Sequence, residues 1–93
     1  MRIQNEKWGI DVTLVDLRQR HVEAFSVAIQ PAGDFPATKY RGEVIRAAVK
    51  AGWFEAPGIN PADIPEMHPA AVRVLSERLS EVFVAVNDVD PKG

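Results

Sequence analysis

Pro69-Ala70-Ala71-Val72-Arg73-Val74-Leu75-Ser76-Glu77-Arg78-Leu79-Ser80-Glu81-Val82-Phe83-Val84-Ala85-Val86 is the stretch on which the reading of this chain turns. Val72, Leu75, Leu79, Val82, Phe83 and Val86 recur three and four positions apart. That spacing lines one face of an α-helix. Arg73, Glu77, Arg78 and Glu81 fall mostly off the stripe. Pro69 suits the first helical position, where its missing N–H is no loss, and His68 stands before it as a capping residue. At 1.5 Å per residue the helix is a rod of roughly 25 Å. The periodicity stops at Asn87, so residues 88–93 read as a flexible tail.

The same rules work upstream. Residues 56–69 form a proline-rich connector, with Pro57, Pro61, Pro65 and Pro69. Asn60-Pro61 suits one short helical turn, Asn60 capping and Pro61 at its first position. Before the connector, Tyr40, Val44, Ala47, Ala48 and Ala51 share a helical face. Thr38 is the expected cap of that helix. Gly52 stands where a left-handed residue ends it, and Trp53-Phe54 is expected to fold back on its end. Residues 31–37 read as a loop. Upstream of it, Leu17, His21, Val22, Phe25, Ala28 and Ile29 trace another helix. Asp16 and Gln19 make its expected capping box, and Pro31 stops it. Residues 9–15 alternate apolar and polar, with Ile10, Val12 and Leu14 on one side, which predicts a short strand. Residues 1–8 are its expected hairpin partner, anchored by Ile3 and Trp8. The fold class is therefore mainly α: a three-helix small domain with a short N-terminal strand or hairpin. It forms a single domain over residues 1–87, with residues 1–15 as its strand region.

Composition agrees. The chain has 93 residues, 46% hydrophobic and 26% charged, with a net charge of −2. Such values suit one globular domain and oppose wholesale disorder. Residues 1–55 carry eight Lys/Arg against seven Asp/Glu, and residues 56–93 carry three against six. No basic stripe results, so nucleic-acid binding is not expected. There is no cysteine, which excludes disulfides and thiol chemistry. No apolar run approaches the ~20 residues of a membrane helix, and the first residues lack the apolar core of a signal peptide. A cytoplasmic protein is expected.

The chemistry-bearing residues do not assemble into an active site. His21 and His68 are the only histidines, and neither belongs to a metal-chelating pair. They read as a boundary residue and a cap. Asp63 and Glu66 flank Ile64-Pro65 in a loop with nothing to push their pKa values apart. Asp88 and Asp90 lack the further oxygens and glycine turn of a calcium loop. Ser26, Ser76 and Ser80 sit on helices, with no histidine base tied to them. The six glycines make no phosphate loop. The expectation is no enzyme, no cofactor and no metal. Trp53-Phe54 has two readings. A small core needs the area that aromatics bury, and this reading carries more weight; an aromatic left exposed would instead mark a contact surface. Trp8 and Phe35 pose the same question.

Three segments together resemble a known family. They are Val44–Phe54, with its Ala51-Gly52-Trp53; Asp63-Ile64-Pro65-Glu66-Met67-His68-Pro69, a D-x-x-x-M-x-P pattern; and the Val72–Val86 helix. With the strand-and-helix opening Thr13–Phe25, they look like small tail assembly chaperones of tailed phages. The resemblance spans most of residues 13–91. It implies a small helical protein in the host cytoplasm that coats the tape-measure or tail-tube protein until the tail tube polymerises. Helix-in-groove binding would serve that task. The residues expected to touch the partner are Trp53, Phe54, Ile64 and Met67. A homo-oligomer is compatible with the resemblance. Two alternatives stay open: a structural virion protein of the tail or head-tail junction, and a phage-encoded inhibitor of a host protein.

Overall fold

The alternation near the N-terminus resolves into an antiparallel hairpin in the computed structural model, which describes residues 1–87. Its strands are β1 (Arg2–Asn5) and β2 (Ile10–Thr13), joined by a 3-10 turn at Glu6–Trp8. Ile3 lies opposite Val12, and Asn5 opposite Ile10. Because successive side chains alternate, this register buries Ile3, Ile10 and Leu14 and turns Arg2, Gln4 and Asp11 to solvent. On the solvent face the Arg2 guanidinium donates to both Asp11 oxygens, at 2.7 and 2.6 Å. That hydrogen bonding, helped by charge attraction, holds the Asp11 carboxyl below its ordinary pKa.

Three helices follow: α1 (Gln19–Ile29), α2 (Ala37–Lys50) and α3 (Pro69–Asn87). The chain is thus a mainly helical small domain with an N-terminal two-stranded hairpin. The expected tail at residues 88–93, with Asp88 and Asp90, lies outside the described residues. No helix among the described residues is long and apolar enough to cross a membrane.

Two expected caps are displaced. Asp16 does not cap α1, which starts at Gln19 with Arg18 in the capping position. The chain stays extended past Leu14 because the Val15 N–H donates to the Trp53 carbonyl at 2.9 Å. The capping acceptor is instead His21, whose Nδ1 takes the Arg18 N–H at 2.9 Å; Asp16 pairs with Arg18 at the surface, at 3.2 Å. Thr38 lies inside the first turn of α2, with Pro36 in the capping position. The Pro36 carbonyl accepts from Tyr40 at 2.9 Å and so closes the first turn. Pro31 does end α1, in a 3-10 turn at Gln30–Ala32. The short turn at Asn60 is also present: the Asn60 side chain accepts from the Ala62 N–H at 3.0 Å, and the 3-10 segment runs Pro61–Glu66. His68 caps α3, with Nδ1 accepting from the Ala70 N–H at 3.0 Å.

The core lies where the helices and the hairpin meet. Its largest fully buried side chains are Trp53, Ile45, Leu75, Leu79 and Val44. On α3 the stripe is buried from Leu75 to Val82, while Val86 is 43% exposed. On α2 the buried face is wider than expected and turned toward Ile45, because this helix packs against both α1 and α3; Tyr40 is left 38% exposed.

The C-terminus of α2 organises the rest. Gly52 has φ +76°, a left-handed conformation that glycine adopts without steric penalty. Its N–H donates to Val49, and the Trp53 N–H donates to Ala48, at 3.1 and 3.0 Å. This pair of bonds is a Schellman motif, and it turns Trp53 into the interior, where it is fully buried. Its indole N–H donates to the His21 carbonyl on α1 at 2.9 Å. Its ring stacks on Phe25 at 4.7 Å and lies 6.4 Å from Phe83 on α3. Beyond it, Phe54 forms a bridge with Leu14, and the Glu55 N–H donates to Thr13 at 2.8 Å. One side chain and its flanking backbone therefore join all three helices to the hairpin.

Candidate functional site

The four residues expected at a partner interface are not brought together. Trp53 is fully buried and Ile64 is 4% exposed, so Trp53 offers a partner no surface. Phe54 is half-buried on the hairpin side, paired with Leu14. Ile64 and Met67 do converge, along one open groove.

That groove has a volume of about 420 Å³ and runs between the first half of α2 and the connector. The Pro61–Glu66 segment places Ile64 and Pro65 along one wall. Met67, Pro69 and Val72 continue it into the first turn of α3. The opposite wall is α2, where Gly42 stands between Ile64 and the guanidinium of Arg46: a Cβ added there would lie 3.6 Å from Ile64 Cγ2 and 3.9 Å from Arg46 Nη1. Among the described residues the charged groups lining the groove are Lys39, Arg41 and Arg46, with no carboxylate. Arg46 is paired with Glu43 at 2.9 Å. Lys39 lies over the Phe35 ring, 4.1 Å from its centroid, a weak cation–π contact that leaves its charge available. Neither Lys39 nor Arg41 has an ion-pair partner among the described residues.

Gly42, the three cations and the wall residues Pro65, Pro69 and Val72 were not evident as a site in the sequence. The available signal was the glycine. Within a helix interior glycine is less stable than alanine by about 0.8–1 kcal/mol, and an isolated one points to a packing or functional reason.

A second cleft, of about 360 Å³, lies between the hairpin and the connector. Trp8 stacks on His68 there, with centroids 4.4 Å apart, and Lys7 Nζ is 5.3 Å from the Trp8 centroid. Asp11 and Asp63 line this cleft, but Glu66 does not, so the structure does not set Asp63 and Glu66 across one cleft. Among the described residues no three His, Asp or Glu side chains group as a metal site. Ser76, buried on α3, donates its hydroxyl to the Arg73 carbonyl at 3.0 Å and is satisfied within its own helix.

No family model matches the chain, and neither a curated protein nor a solved structure matches it.

Proposed function

We propose that this chain is a non-enzymatic, protein-binding component of phage tail morphogenesis: a tail assembly chaperone that shields the tape-measure or tail-tube protein in the host cytoplasm before assembly. The observation that supports it is the apolar groove. Ile64, Pro65, Met67, Pro69 and Val72 line a concave surface beside a helix, the kind of surface on which an amphipathic partner helix lays its apolar stripe. The groove falls on the segment Asp63–Pro69, one of the stretches that resemble the chaperone family. Release when the tube polymerises requires only moderate affinity, for which a modest interface suffices.

The test is recovery of the tagged full chain from phage-infected cells, with mass spectrometry of what accompanies it. The expected result is co-purification of tape-measure or tail-tube protein, and absence of the chain from purified virions. Recovery of neither tail protein overturns the proposal, and stoichiometric presence in virions replaces it with a structural role.

A further inference from the structure

We infer that the groove between α2 and the connector binds an acidic amphipathic segment of a partner protein, with an apolar side chain seated against Pro65, Met67 and Val72 and flanking carboxylates on Arg41 and Lys39. This deepens the reading above and takes from it only that the chain binds protein.

Charge decides the partner's chemistry. The whole chain carries a net charge of −2, yet among the described residues the charged side chains lining this groove are three cations. Glu43 is paired with Arg46; Arg41 also borders the neighbouring cleft that holds Glu77 and Glu81, but those carboxylates are paired with Arg73 and Arg78. Arg41 is half-buried beside the groove floor, where an incoming carboxylate is less screened than on open surface. An arginine fork binds a carboxylate with two parallel hydrogen bonds. A basic partner would meet like charge, which opposes docking. Shape decides the partner's class: a concave space of about 420 Å³ accepts a side chain, whereas a flat anionic membrane would not reach its floor.

Gly42 marks the place where the connector meets α2. It is buried in the interior of α2. A Cβ there would make ordinary van der Waals contact, at 3.6 Å or more from its neighbours, so core packing does not require its absence. The helix nevertheless forgoes the stability that alanine would bring. The Ile64 methyl lies over this position, so the connector rests directly on α2 at the base of the groove.

The experiment pans a random peptide display library on the full-length wild-type chain and, in parallel, on the double variant Lys39→Glu/Arg41→Glu. Circular dichroism establishes that the variant keeps wild-type helicity. The expected peptides carry an apolar residue flanked by Asp or Glu. They should shift the amide resonances of Gly42, Ile64 and Met67, and lose about tenfold or more in affinity on the double variant, while Arg41→Lys, which keeps the charge and loses the fork, falls between wild type and the double variant. Enrichment of basic or neutral peptides, no enrichment at all, equal affinity for the double variant, or resonance shifts confined to another surface each overturn the inference. So does binding to phosphatidylglycerol vesicles that the double variant abolishes, with no peptide bound. The two readings fail separately. Acidic peptides in the groove without tail proteins from infected cells remove the tail assignment alone. Tail proteins captured equally by the double variant remove the groove assignment alone.

Discussion

At the scale of a residue, Trp53 carries more of the structure than any other side chain described. It is fully buried, stacks on Phe25, lies near Phe83, and donates its indole N–H to the start of α1. Truncating a buried tryptophan to alanine costs about 3–5 kcal/mol. A domain of this size has on the order of 5–10 kcal/mol in all. Trp53→Ala is therefore expected to lower the urea midpoint sharply or to leave the chain partly unfolded in water. Trp53→Phe keeps the ring stack and loses the hydrogen bond and some volume, so its loss is expected to be about 1–3 kcal/mol. Equal midpoints for wild type and Trp53→Ala would contradict the hub described here. The sequence marked this residue both as core payload and as a contact. Its complete burial leaves a partner nothing to touch, so any effect of Trp53→Ala on binding would be read through folding.

At the scale of an element, two glycines on or beside α2 predict opposite signs. Gly52 ends the helix at φ +76°, and a Cβ there meets nothing closer than His21 Cδ2 at 3.9 Å. Gly52→Ala is strained by backbone conformation alone, and about 1 kcal/mol is expected to be lost. Gly42 lies within the helix, with room for a methyl group. Gly42→Ala is expected to gain about 0.5–1 kcal/mol. Chemical denaturation of both variants checks the pair; a stabilised Gly52→Ala or a destabilised Gly42→Ala would be inconsistent with these geometries. The helices themselves were legible because each carries an apolar stripe of helical period, and so was the Gly52 stop. Their starts were not. Asp16 and Thr38 are good caps by residue type, but a tertiary hydrogen bond to Trp53 holds the chain extended before α1, and Pro36 closes the first turn of α2.

At the scale of the whole molecule, the hairpin and all three helices share one core. Leu14 pairs with Phe54, Val15 with Trp53, and α2 packs against both other helices. Unfolding followed by tryptophan fluorescence and by far-ultraviolet circular dichroism is expected to give one coincident transition. An earlier fluorescence transition that persists in Trp8→Phe would mean that the hub releases before the helices melt. The proposed groove is also a property of the whole. Ile64 and Met67 were expected contacts because they lie on the connector segment that carries the family resemblance. The cations that face them come from α2, more than fifteen residues away in sequence.

What the sequence determined by itself was local: three amphipathic helices, an alternating strand, the proline-bounded connector and the glycine stop after α2. Each follows from spacing or from the backbone preferences of a single residue. What only the tertiary structure decided was which surface of each element met another. The turn at Gly52 drives Trp53 inward while Phe54 pairs with the strand, so adjacent aromatics meet different neighbours. The connector lies against α2 at Gly42, so a groove forms between segments that share no sequence pattern. Periodicity records which face of an element is apolar. It holds no record of what covers that face, or of which polar side chains from distant segments come to border the part left open.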